Sequence, residues 1–156
     1  MNRLEDITEL LSHHRLALVG ASHDEKDFSR MVMRELLERG YDVVPVNPKG
    51  GTMEGREAVT DVGAIAPPVE WALVMTPPAA SAEVVRACAA AGVPQVWLHR
   101  GAGQGAVSEE AVEACKELGL RAVAGECPMM FLKDASFVHR LHAMGKKLVG
   151  SYPARD

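Results

Sequence analysis

The residues best suited to chemistry are spread along the chain. The first group is Gly20-Ala21-Ser22, set between the apolar run Leu16–Val19 and a helix start near Phe28. A strand that feeds a small-residue turn and then a helix leaves bare backbone N–H groups near the positive end of the helix dipole, where a phosphate can sit. Lys49 is the only cation in the loop Asn47-Pro48-Lys49-Gly50-Gly51, and Arg30, one turn into the helix, is a second candidate to meet a phosphate. Cys127, in Gly125-Glu126-Cys127-Pro128, offers a nucleophile or a redox partner for a thiol. A free cysteine is most often a small buried hydrophobe, however, and no base adjoins it in sequence. His99, at the end of Gln95–His99, can hydrogen-bond a ligand, and no partner for acid–base work stands beside it.

Other polar groups invite less. His139 and His142 do not form H-E-x-x-H, so no metal site is expected. His13-His14 reads as a helix end, and Met129-Met130-Phe131-Leu132 as core or groove-lining surface.

The elements that must position these groups follow from apolar spacing. Leu4, Ile7, Leu10 and Leu11 predict a short amphipathic helix over residues 1–14, and Leu16–Val19 a buried strand. A helix from Phe28 presents Phe28, Val32, Met33, Leu36 and Leu37 on one face and stops at Gly40. Asp42–Val46 is the second strand, with Pro45 marking a strand end or a gap in the ladder. After a weakly patterned stretch with a short helix around Val59–Ile65, Glu70–Thr76 is the third strand, stopped by Pro77-Pro78, and Ala79–Ala91 the next helix. Gln95–His99 empties into the glycine loop Gly101–Gly105. A helix capped by Ser108 then leads to a fifth strand, Leu120–Ala124, ended by Gly125–Pro128; Phe137–Met144 suggests a last helix.

Strand and helix alternate five times, which predicts an α/β fold: a doubly wound, five-stranded parallel sheet with helices on both faces. In such sheets ligands bind outside the carboxyl ends of the strands, and the loops there hold nearly all the unusual residues. With 156 residues the chain is expected to be one domain, a core over 15–128 and a C-terminal helix and tail over 129–156.

Composition narrows the partners. A net charge of −4 without a Lys/Arg cluster argues against nucleic acid. No apolar run approaches the ~20 residues needed to cross a bilayer, and the N-terminus lacks the pattern of a secretory signal. Three cysteines without a C-x-x-C pair suit a reducing compartment, the cytoplasm. Apolar helix faces are compatible with a homodimer.

A dinucleotide site calls for G-x-G-x-x-G after the first strand and a carboxylate at the end of the second; neither is present, and there is no Walker loop. What the strand ends do carry is Val19-Gly20-Ala21-Ser22 with Ser29-Arg30, Val44–Gly50, Thr76-Pro77-Pro78, Val96–His99 with Gly101, and Glu126-Cys127-Pro128. In order and placement, over about Leu16 to Pro128, this resembles the small CoA-binding domain proteins, whose fold is shared with the N-terminal domain of the succinyl-CoA synthetase alpha subunit.

The resemblance implies coenzyme A or an acyl-CoA as the small-molecule nucleotide ligand. The pyrophosphate would lie against Gly20, Ala21 and Ser22, and the adenosine 3′-phosphate near Asn47, Pro48 and Lys49. Thr76, Pro77 and Pro78 would line the adenine and ribose side, with Trp97 to Gly101 and Cys127 toward the pantetheine arm. The synthetase's phosphoryl chemistry uses a histidine in a second domain, for which this sequence has no room after Pro128, so a binding module without turnover is expected. The competing reading is a small enzyme, either an NAD(P) oxidoreductase or a thiol-using acyl-CoA enzyme built on Cys127.

Overall fold

A computed structural model describes residues 2–101, 105–132 and 153. After helix α1 (Leu4–Ser12) come β1 (Arg15–Val19), α2 (Phe28–Glu38) and β2 (Asp42–Val46), then a hairpin of β3 (Thr52–Met53) and β4 (Arg56–Glu57). The chain continues through β5 (Trp71–Val74), α3 (Pro78–Ala90), β6 (Gln95–His99), α4 (Glu109–Glu117) and β7 (Arg121–Glu126). The five long strands form one parallel sheet in the order β2-β1-β5-β6-β7. The α/β doubly wound fold expected from the sequence is the fold observed.

Alternation along the strands sorts the core into two layers, because successive side chains leave a strand on opposite faces. Leu16 and Leu18, Trp71 and Leu73, and Trp97 pack with Ile7 and Leu10 of α1 and Val32, Met33 and Leu36 of α2. Ala17 and Val19, Ala72 and Val74, and Val96 and Leu98 pack on the other face with Val85 and Cys88 of α3 and Ala111, Ala114 and Cys115 of α4. With both faces covered, the strands read as near-continuous apolar runs. Each wholly buried Leu or Val side chain contributes about 1.5–3 kcal/mol.

Helix ends follow local chemistry. Ser108 accepts from Ala111 N at 3.1 Å, and Asp27 accepts from Ser29 N at 2.8 Å, caps worth about 1 kcal/mol each. Trp71 Nε1 donates to His13 O at 2.9 Å, locking the end of α1 onto the sheet.

Two expectations are corrected and one element is added. β7 does not end before Gly125: Gly125, at φ 83°, is an extra residue between the pairs Leu98–Ala124 and His99–Glu126, a bulge that lets the strand run on to Glu126. The weakly patterned stretch after Gly51 holds a hairpin the spacing did not predict, in which Thr52–Met53 and Arg56–Glu57 pair through a two-residue turn, Glu54-Gly55, with φ 48° and 74°. The short helix around Val59–Ile65 shrinks to a 3-10 turn at Val62–Ala64. Pro45 sits in the edge strand opposite Leu18, and its carbonyl takes the Val59 N–H at 3.0 Å, so its missing donor costs the ladder nothing. The helix expected at Phe137–Met144 lies outside the described residues. Among the described residues no helix is long and apolar enough to cross a membrane.

Candidate functional site

Every residue singled out for ligand chemistry stands at or just past the carboxyl end of a sheet strand, or at the start of the helix that follows. The centre is the turn after β1. Gly20 has φ 97°, and a Cβ there would lie 2.9 Å from Met75 C and Thr76 N, so only glycine lets β1 leave the sheet hard against the end of β5. That gap between β1 and β5 is where the strand order reverses.

The turn is tied down on three sides. Ser22 N donates to Ser29 Oγ at 3.0 Å, and the Ser29 hydroxyl donates to Asp27 Oδ1 at 2.5 Å. Asn47 Nδ2 donates to Ala21 O at 2.8 Å while its Oδ1 accepts from Lys49 N at 2.9 Å, so one amide couples the turns after β1 and β2. The His23 ring lies 2.8 Å from Gly50 O and closes the same seam. The Ser22 hydroxyl oxygen accepts from Asp24 N at 3.1 Å, which leaves its proton to donate. The Ala21 and His23 N–H groups have no protein acceptor among the described residues.

Two expected contacts take a different part. Arg30 is buried, 5% exposed; its guanidinium meets Glu54 at 2.9–3.0 Å and donates to Ser22 O and His23 O at 3.2 and 3.3 Å. Its charge is spent within the protein, and it holds the outer half of the turn to the β3–β4 hairpin. In the first turn of α2, Ser29 N is held by the Asp27 carboxylate and Arg30 N by the Asp27 carbonyl.

Farther along the strand ends, Thr76 Oγ1 lies 3.0 Å from Ser81 Oγ, and Pro77 and Pro78 serve as N-cap and first residue of α3. Pro48 and Lys49 are exposed. Cys127 is 2% exposed and packs in the same apolar cluster as Trp97, Met129 and Met130. Burial pushes the Cys88 thiol up to about 12 and the Cys115 thiol up to about 11, which keeps both protonated and inert.

His99 is the outlier. It is 5% exposed, and its backbone is fixed, with the carbonyl accepting from Ala106 N at 2.7 Å. Yet its buried Nε2 has no hydrogen-bond partner among the described residues. Desolvation pushes the imidazole down to about 4, so the ring is neutral at pH 7. Its neighbours are the Phe28 ring, centroid 5.4 Å away and tilted by 45°, and Gly101, where a Cβ would stand 3.5 Å from His99 Cε1. Phe28 is the residue sequence reasoning missed. Its spacing assigns it to the buried face of α2, but as the first helical residue it stands against His99 at the end of β6, 41% exposed. The signal was its place next to the Asp27 cap.

Among the described residues no group of three His, Cys, Asp or Glu side chains is placed to hold a metal ion.

The chain and its fold match known proteins. Residues 14–133 fit the family model described as a CoA binding domain. An uncharacterized protein of Bacillus subtilis (strain 168), YneT, is 30% identical over 123 residues, 78% of this chain and 88% of the relative. A structure described as a hypothetical protein from Pyrococcus horikoshii OT3 superposes with a TM-score of 0.78 at 33% identity, covering 86% of this chain and 92% of that one. The dinucleotide forming acetyl-coenzyme A synthetase 1 of Ca. Korarchaeum cryptofilum superposes with a TM-score of 0.63 at 25% identity, over 72% of this chain and 25% of that longer one. With the family model spanning most of its length, the chain belongs to the CoA-binding domain family.

Proposed function

We propose that this protein binds coenzyme A or an acyl-CoA across the carboxyl ends of its strands and acts as a stand-alone binding module without turnover of its own. The observation that carries the reading is the turn Gly20-Ala21-Ser22, rigidly held by Asn47, Ser29 and Arg30, with the Ala21 and His23 N–H groups unspent. Such a turn suits a diphosphate, which rewards preorganised donors and penalises none of the protein's own bonds. Lys49 then meets the adenosine 3′-phosphate beside Asn47 and Pro48. Thr76, Pro77 and Pro78 border the adenine and ribose, and His99 and Gly101 the arm; Cys127, 2% exposed, is withdrawn from it. Family membership and the likeness to an acetyl-coenzyme A synthetase support the ligand class.

Binding without catalysis fits the state of the reactive groups: Cys127 is sealed in the core, and Asn47 stands at the end of β2 where a dinucleotide enzyme would place a ribose-binding carboxylate. The buried cysteines suit the cytoplasm.

The test is thermal unfolding with CoA, acetyl-CoA, ADP, NAD and NADP. At 100-fold over Kd, binding adds about 2.7 kcal/mol. The expected result is stabilisation by the CoA species, lost in Ser22→Glu. No shift with CoA, or a larger one with NAD(P), returns the groove to the oxidoreductase reading.

A further inference from the structure

A buried polar atom without a partner is rare in a native protein and calls for an explanation. Here that atom is His99 Nε2. The protein invests in mounting this ring: the bulge at Gly125 resets the β6–β7 register at this residue, and Ala106 N and Glu126 fix the backbone around it. Bulges of this kind re-aim side chains beside functional sites. Phe28, a large exposed aromatic, covers the ring.

Position says what would reach it. Phe28 adjoins Ser29, whose hydroxyl holds Ser22 N, so the ring lies on the same side of the strand ends as the phosphate turn. Lys49 follows β2, one strand to one side of β1, whereas His99 ends β6, two strands to the other. Two strand spacings are roughly 10 Å. A ligand whose diphosphate lies at the end of β1 meets His99 only through a flexible chain extending away from the nucleoside.

We propose that His99 Nε2, with Phe28 closing over the imidazole, receives an uncharged hydrogen-bonding group, amide or thioester, on that arm, and that this pair sets which ligands the groove accepts beyond the diphosphate. The inference rests on the coenzyme A reading. A neutral imidazole has one nitrogen that donates and one that accepts, so it matches an N–H or a C=O equally. It offers no charge to a carboxylate or phosphate, which would be buried unpaired. The low proton affinity of the ring supports the same choice.

The experiment measures affinity for CoA and for adenosine 3′,5′-bisphosphate, which lacks the arm, in the unaltered protein and in His99→Leu, His99→Gln and Phe28→Ala. The expected result is a loss of about tenfold in CoA affinity in His99→Leu, a smaller loss in Phe28→Ala, recovery in His99→Gln, and unchanged binding of the bisphosphate throughout. CoA binding that His99→Leu leaves unchanged overturns this inference alone. Failure of the unaltered protein to bind CoA overturns the coenzyme reading and this one with it. Should His99→Leu not fold, the ¹⁵N resonance of His99 Nε2 in the unaltered protein decides: it moves on adding CoA and not the bisphosphate, and a resonance that CoA leaves in place overturns the proposal.

Discussion

Gly20 and His99 show the two ways single residues shape this groove, one by lacking a side chain and one by leaving a side chain unsatisfied. At φ 97° and with backbone 2.9 Å from where a Cβ would stand, Gly20→Ala combines strain with a clash. We expect it to lower unfolding free energy by about 1–3 kcal/mol in a urea titration, and an unchanged midpoint would show that the turn relaxes freely. His99 has a pH signature. Its folded-state proton affinity falls from 6.5 to about 4, so the unfolded chain takes up the proton first as pH drops. The stability tied to the neutral ring is complete above pH 6.5 and is lost between 6.5 and about 4, a change of about 3 kcal/mol. Measured against His99→Gln over that window, the unaltered protein should show the extra slope, and parallel curves would contradict it. The candidate residues were legible because strand ends in a doubly wound sheet are where ligands bind. Which of them were already engaged was not: that Arg30 is spent on Glu54 depends on a hairpin whose turn, Glu54-Gly55, lacks the usual Asn-Gly or Asp-Gly signal.

Among elements, the β3–β4 hairpin and α2 act as one clamp on the phosphate turn. Glu54, at the hairpin tip, pairs with Arg30 and with Arg34 at 2.8 Å, and Arg30 carries the restraint to Ser22 and His23. Arg30→Met keeps the volume but releases two carbonyls and half of the Glu54 pairing. Loss of a buried ion-pair partner costs about 3–5 kcal/mol; with Arg34 remaining, a value toward the lower end is expected. Amide exchange should quicken through Ser22–Asp27 and not in α3 or α4, and uniform quickening would show that the clamp is not local. Strand and helix positions followed from apolar spacing because burial on both faces leaves few other patterns. The hairpin did not, since four paired residues carry too little periodicity to register. The bulge at Gly125 was equally hidden, because glycine ends strands as often as it bends them.

At the scale of the molecule, the sheet divides the labour. Its amino end is closed by charge: Asp42 ion-pairs with both Arg15 and Arg56, and the Arg56 hydrogen bond, ahead of Arg15, holds its carboxyl below the usual range. Its carboxyl end keeps the Ala21 and His23 N–H groups and His99 Nε2 without a partner among the described residues, so the edge proposed to face the ligand is the one with hydrogen-bonding capacity to spare. A separate groove of about 540 Å³ runs between α4 and β7, lined by Val112, Lys116, Ala122 and Ala124. It lies along β7, three strands from β1, and the two locations can be told apart by one spectrum. In a ¹H–¹⁵N amide titration with CoA, the account requires the largest shifts at Ala21, Ser22, His23, Lys49 and Gly101. Shifts concentrated on Val112, Lys116 and Ala122, or none at saturating CoA, would contradict it.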